Sequence, residues 1–221
     1  MAGVMALIRN YIKNDATLSA LVAGSNGSAD PVKVNRLANQ LIMSTATTVR
    51  DQGGRVYSPR KQGAGLGSLE NVIDKTSAYL SVNNADNDYR PKLELGDDPD
   101  KDGVYVMSFQ VHNFGLSNLT FEKKLICLTE TIAKDGLAVA EKSYTLSPDT
   151  ESWSVEGDGT YDNGIVTVNA ESSATINVRV VLSKSDREYL DQFENGMYVE
   201  GFLQLISKDN VDQCDLSLPY L

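Results

Sequence analysis

The chain is poor in the side chains that carry most acid–base and redox chemistry. Its 221 residues hold one histidine, His112, and two cysteines, Cys127 and Cys214. A His-based triad needs an acid to hold the ring and a nucleophile in its reach. Nothing in the spacing around His112 supplies either, so it reads as a histidine on the polar side of a strand. Two cysteines make no framework. Cys127 lies in an apolar, strand-like run and reads as an inert buried thiol; a bridge to Cys214 stays open, and neither reading fixes a redox compartment. Long hydrophobic runs are missing too. None approaches the roughly 20 residues that span a bilayer, so no membrane insertion is expected. The apolar opening Met1–Ile8 lacks the basic flank and small-residue cleavage site of a signal peptide. Positive charge is short overall: the net charge of −10 argues against a nucleic-acid partner.

That charge is unevenly spread. Residues 1–76 contain nine Lys/Arg and five Asp/Glu, while residues 77–221 contain eleven and twenty-five. A sign change between the two stretches points to two units, 1–76 and 77–221.

The first unit reads as helix and connector. Its opening helix, "MAGVMALIRNYIKND", has no Ser, Thr, Asp or Asn before its first turn and no acid within it, although four backbone N–H groups there need partners. It reads as a piece of core helix. Asp30-Pro31 is a good start for a second helix, with Val34, Leu37, Ala38 and Leu41 at helical spacing. A short helix is expected over Ser68–Lys75. Gly63, Gly65 and Gly67 do not match a phosphate-loop spacing, and no strand precedes them.

From about Tyr79 the period becomes two. Tyr105, Met107, Phe109 and Val111 share one face, opposite Val106, Ser108, Gln110 and His112; Ala174, Ile176, Val178, Val180 and Leu182 repeat the pattern. Further strands are expected at 119–133, 137–146, 165–170, 197–206 and 216–221. Turn signals lie at Asp102-Gly103, Asp135-Gly136, Asp158-Gly159, Asn163-Gly164 and Asn195-Gly196, where positive φ suits tight hairpins. Half-buried strands at this spacing form an antiparallel sandwich. One helix interrupts them, with Ser185 and Glu188 as an expected capping box.

Three motifs touch on binding. Asp98, Asp100, Asp102 and Gly103 fit the front half of a calcium loop, but the twelfth position is Phe109 instead of a bidentate Glu. The stretch reads instead as a solvated hairpin turn joining 90–95 to 104–113. No cofactor is expected, calcium being supported by half a motif only. Trp153 and Tyr161, in a loop-like stretch, form a possible sugar or peptide platform but fit packing against the sandwich edge better. Asn26 and Asn118 stand in glycosylation sequons, relevant only in a glycosylating host.

As local sequence, the first unit resembles the end of a subtilisin-like serine protease catalytic domain. Ala2-Gly3 and "VMALIRNYI" align with the close of "GTSMAxPxxAG" and the helix behind the nucleophile. "LANQLIMSTATTV" (Leu37–Val49) and "YSPRKQGAGLGSLENVI" (Tyr57–Ile73) resemble later landmarks of cell-envelope proteinases. The stretches "PKLELGD", "FQVHNFGLSNLTF", "VNAESSATINVRV", "FENGMYVEGFLQL" and "LSLPYL" resemble the fibronectin-type-III-like domain that follows in lactocepin and C5a-peptidase relatives.

The resemblance implies a mainly β chain, an antiparallel fibronectin-III-like sandwich preceded by a helical remnant of an α/β subtilase domain. It implies a C-terminal fragment of an extracellular or cell-wall-associated bacterial endopeptidase, its nucleophilic serine expected upstream of Met1. No catalytic or metal residue is then expected within the chain, and its protein or peptide substrate would be met by the missing catalytic domain. On this reading residues 1–76 alone are expected to be aggregation-prone or poorly ordered, while 79–221 stay folded. The competing reading is a non-catalytic β-sandwich module for adhesion or for binding carbohydrate or protein.

Overall fold

A computed structural model describes residues 2–82, 90–133, 139–193, 196–208 and 212–221. Five helices come first: α1 (Ala2–Asn14), α2 (Ala16–Leu21), α3 (Pro31–Ser44), α4 (Pro59–Gln62) and α5 (Leu69–Asp74). Local chemistry sets their starts. The Asp15 carboxylate accepts from the Leu18 N–H, and that of Asp30 from Val32 and Lys33, with Pro31 in the first turn. Each satisfies donors the helix leaves open. Val34, Leu37, Ala38 and Leu41 of α3 are buried, and against them lie Ile8 and Ile12 of α1, both fully covered. The other side of α1 stays open, with Leu7 53% exposed.

The strands are β1 (Ala78–Ser81), β2 (Val104–Asn113), β3 (Leu119–Ile132), β4 (Val139–Thr145), β5 (Thr150–Gly157), β6 (Gly159–Asp162), β7 (Ile165–Val168), β8 (Ser172–Val181), β9 (Glu200–Lys208) and β10 (Leu216–Tyr220), with α6 (Lys184–Leu190) between β8 and β9. They form two antiparallel sheets, β1-β2-β8-β5 and β10-β9-β3-β7-β6, with β4 paired to the far end of β3. The fold class is therefore as the sequence implies: a mainly antiparallel β-sandwich with a small helical N-terminal part. Met107, Phe109 and Val111 of β2 and Ile176 and Val178 of β8 point inward, onto Phe121, Val166 and Leu203 of the second sheet.

Several expectations change. Residues 90–95 do not pair with 104–113; Leu93 and Leu95 donate to the carbonyls of Pro219 and Leu221 beside β10. Asp158-Gly159 marks the crossover of the chain from β5 in one sheet to β6 in the other, whereas Asn163-Gly164, both at positive φ, is a hairpin turn as expected, joining β7 to a β6 strand that the sequence did not indicate. The stretch around Trp153 is strand, not loop. Ser183, not Ser185, caps α6, its hydroxyl accepting from the Asp186 N–H. Asp135-Gly136 and Asn195 lie outside the described residues. The alternation expected of β9 and β10 is absent: Glu200–Leu205 and Leu216–Tyr220 are buried throughout. A strand covered on both faces needs no polar side, and the helical part supplies the second cover. Among the described residues, no helix is long and apolar enough to cross a membrane.

Candidate functional site

The place where the helical part meets the sandwich gathers the most specific polar chemistry in the molecule. Residues 47–66 fold back on themselves through bridges Thr47–Leu66 and Arg50–Val56. Gln62 locks this loop: its Oε1 accepts from the Val49 N–H at 2.6 Å and its Nε2 donates to the Tyr57 carbonyl at 2.5 Å. Gly65 is required where it stands. At φ +120° its backbone runs so near Thr47 that a Cβ would meet the Thr47 carbonyl oxygen at 2.4 Å.

The loop lies on the outer face of β3 and β9. Even-numbered residues of β3 point away from the sandwich interior, and Ile126 and Leu128 there form a small apolar cluster with Phe202 and the loop's Val56. Beside it sits Glu200, wholly buried. A carboxylate without water needs a cation and several donors. Glu200 has them. Arg60 clasps it with two parallel bonds, Nε to Oε2 at 3.0 Å and Nη2 to Oε1 at 2.9 Å. Ser58 donates its hydroxyl to Oε2 at 2.7 Å, and the Ser58 Oγ in turn accepts from the Arg60 backbone N–H, capping α4. The guanidinium also reaches Glu130 at 3.2 Å and lies 4.1 Å over the Tyr198 ring. Its pKa is raised further, first by the bond to Glu200. Fork-to-fork geometry of this kind is both strong and directional. The next residue, Gly201, admits no side chain: a Cβ would stand 1.9 Å from the Ile126 carbonyl oxygen.

A second seam runs where the two sheets meet. There α3 packs over β1 and β10. The Ser44 hydroxyl accepts from the Leu80 N–H at 2.8 Å, and Gln213 accepts from the Ser77 N–H at 2.9 Å. Cys214 N–H donates to Lys75 at 2.6 Å.

The residues singled out from sequence are scattered. His112 sits on the outer face of β2 but is not open to solvent like an ordinary surface histidine. Tyr79 stacks on it at 4.6 Å, and Ser81 and Ser173 hydroxyls hold its two nitrogens at 2.7 and 2.8 Å. Burial lowers its pKa to about 4. The hydroxyls of Ser81 and Ser173 are its polar contacts, with no carboxylate among them, so the ring is a neutral structural bridge. Asp98 spends its oxygens on the N–H groups of Asp102 and Gly103, Asp102 caps Val104, and no metal-competent group of three occurs among the described residues. Trp153 is 5% exposed inside the sandwich, its indole N–H donating to Glu151. Tyr161 packs against the same core, so the pair forms no platform. Cys127 and Cys214 are both free, each thiol raised to about 11 by burial. Asn118 accepts from the Ala170 N–H, tying together two loops 52 residues apart, and Asn26 accepts from the Ser28 N–H within its own turn.

Comparison with known proteins fits this picture. Residues 93–221 match the Fn3-like domain profile. The chain belongs to that family. The Fn3-like domain thus contributes Glu200, Glu130 and Tyr198 to the clasp, while Ser58 and Arg60 come from outside it. C5a peptidase of Streptococcus pyogenes is 28% identical over 189 residues, covering 84% of this chain and 14% of that protein. The PI-type proteinase of Lactococcus lactis subsp. cremoris is 28% identical over 186 residues, 81% of this chain and 8% of the relative. The chain spans only this small share of both. Among solved structures, a PapD-like domain of human CEP192 aligns at TM-score 0.39 and 5% identity over 66% of this chain and 83% of its own.

The two halves of the clasp, Ser58 and Arg60 on one side and Glu200 on the other, lie in separate stretches of sequence that no local pattern joins. One signal was available: a Glu followed by Gly opening the apolar run "EGFLQL" is a charge where a buried strand wants none, and it demands a partner elsewhere.

Proposed function

We propose that this chain is the joint between the peptidase domain of an extracellular or cell-wall-associated subtilisin-type serine endopeptidase and the Fn3-like domain that follows it, with the boundary near residue 76. The observation that carries this reading is the reach of the similarity. An alignment over 84% of the chain extends well upstream of residue 93, so both peptidases share the helical part as well as the sandwich. The clasp residues Ser58, Arg60 and Glu200 fall in the stretches that resemble such proteinases.

The sandwich braces the catalytic domain. In the proposed parent, α1 continues the helix that carries the nucleophilic serine upstream of Met1. Ile8 and Ile12 hold α1 on α3, and α3 is held across the β1/β10 seam by the Ser44–Leu80 bond. The 47–66 loop is pinned separately by Arg60 and Glu200. Acyl transfer is sensitive to displacements of about 1 Å at the reacting group, so a fixed base matters. The first two turns of α1 expose Ala2, Gly3, Ala6 and Leu7 with no charge among them, the exposed Arg9 and Lys13 following further along the helix. Val32 is 64% exposed on the same layer. These surfaces suit the remainder of an α/β domain. No catalytic residue is assigned within the chain, and protein substrate would be cleaved by the parent's Asp, His and Ser.

Reading the coding DNA upstream of the first codon tests this. An in-frame Gly-Thr-Ser-Met-Ala run is expected; a ribosome-binding site preceded by an in-frame stop would refute the reading. The isolated chain should not turn over fluorogenic casein, and turnover blocked by a serine-directed inhibitor would also count against it.

A further inference from the structure

A cleft of about 450 Å³ opens where the Arg50–Val56 hairpin overhangs β3 and the turn between β4 and β5. Its charge is opposite to that of the molecule. Arg50, Arg55 and Lys124 line it against one carboxylate, Glu151, in a chain of net charge −10. Glu151 is already engaged by the Lys123 ammonium and the Trp153 indole N–H. The three cations are not similarly spent. Lys124 is exposed, and its ammonium has no ion pair or hydrogen bond among the described residues. Arg50 donates to the Gly54 carbonyl at 2.9 Å, and Arg55 meets Asp51 at a loose 3.6 Å with its side chain 48% exposed. Gly53 and Gly54 add bare backbone to the rim. The cleft also offers apolar surface from the half-buried Leu125 and Pro148, over a floor that includes the buried Val56 and Leu146.

We propose that this cleft binds an extended acidic peptide segment that places an apolar side chain between its cationic walls. Positive potential focused by low-dielectric walls attracts carboxylates, and the apolar lining gives a peptide an advantage over a bare polyphosphate. The walls come from both parts of the molecule, the hairpin from the helical part and β3 from the Fn3-like domain. The site therefore exists only while the two are docked. This inference is independent of the peptidase reading.

The test uses the full 221-residue chain and fluorescein-labelled decapeptides of alternating Glu-Leu, Glu-Ser and Lys-Leu, followed by anisotropy. The Glu-Leu peptide should bind about tenfold or more tighter than the Lys-Leu peptide and measurably tighter than Glu-Ser. Its affinity should fall about threefold or more between roughly 50 and 300 mM salt. The double variant Arg50→Glu, Lys124→Glu should weaken binding about tenfold with an unchanged urea midpoint, since both side chains are exposed. Equal binding of the Glu-Leu and Lys-Leu peptides, or undiminished binding by the double variant, would overturn the proposal. So would equal affinity for Glu-Leu and Glu-Ser with full displacement by polyphosphate, which would mark a plain polyanion surface.

Discussion

Removing Arg60 isolates the clasp more cleanly than any other single change. In Arg60→Met the methylene stem is largely replaced, but Glu200 loses both guanidinium bonds, at 2.9 and 3.0 Å, and keeps only Ser58. Its side chain is 0% exposed, so water cannot replace them. Breaking a buried pair from one side costs about 3–5 kcal/mol. The Arg60 side chain is itself 29% exposed, which screens part of the attraction and favours the lower end. Loss of the contact over Tyr198 adds about 0.5 kcal/mol at this exposed ring. An overall loss of about 3 kcal/mol follows, or roughly 6–12 °C in Tm for a chain of this size. Urea titration should follow Trp153, the sole tryptophan and a reporter of the sandwich core, together with circular dichroism at 222 nm for the helices. Glu200→Gln in the Arg60→Met background should recover part of the loss, because the stranded charge is gone while Ser58 keeps a partner. A loss under about 1 kcal/mol for Arg60→Met, with no recovery in the double variant, would show that Glu200 is not held as described.

Three further outcomes are expected. Burial holds the folded pKa of His112 near 4, below its free value of about 6.5, so its contribution to stability is full above pH 6.5 and is lost as pH falls toward 4. Relative to His112→Gln, the wild type should lose about 2 kcal/mol between pH 7.5 and pH 5, and parallel stability curves would contradict this. Gly201→Ala should cost at least about 3 kcal/mol by urea midpoint, because β3 and β9 must part to admit the methyl group; a loss near zero would deny the close approach. Both thiols are raised to about 11, and Cys127 is also buried while Cys214 is half-buried, so a thiol reagent at pH 8 should label Cys127 only in urea and Cys214 slowly in the native chain; prompt native labelling of Cys127 would deny its burial.

Local signals carried most of the fold. Asp30-Pro31 caps α3 because its carboxylate reaches two open N–H groups, and that relation is entirely within four residues. The inward face of β2 follows from alternation alone. Pairing was less legible: the contact of residues 90–95 with β10 joins positions far apart in sequence, and no local rule selects it. The burial of β9 on both faces depended on a loop from the other part of the chain, so its apolar run looked like ordinary strand. The clasp was hidden for the same reason. Ser58 and Glu200 are 142 residues apart: the charge heading an apolar run asks for a partner, and nothing local says which residue supplies it.

Native-state hydrogen exchange bears most directly on the bracing role. If the clasp and the β1/β10 seam bind the two parts into one cooperative body, the slowest amides of α3 and those of β3 and β9 should exchange with the same free energy of opening. Amides of α3 that open several kcal/mol more readily than those of β3, in wild type under native conditions, would show the helical layer moving independently and would contradict a braced joint.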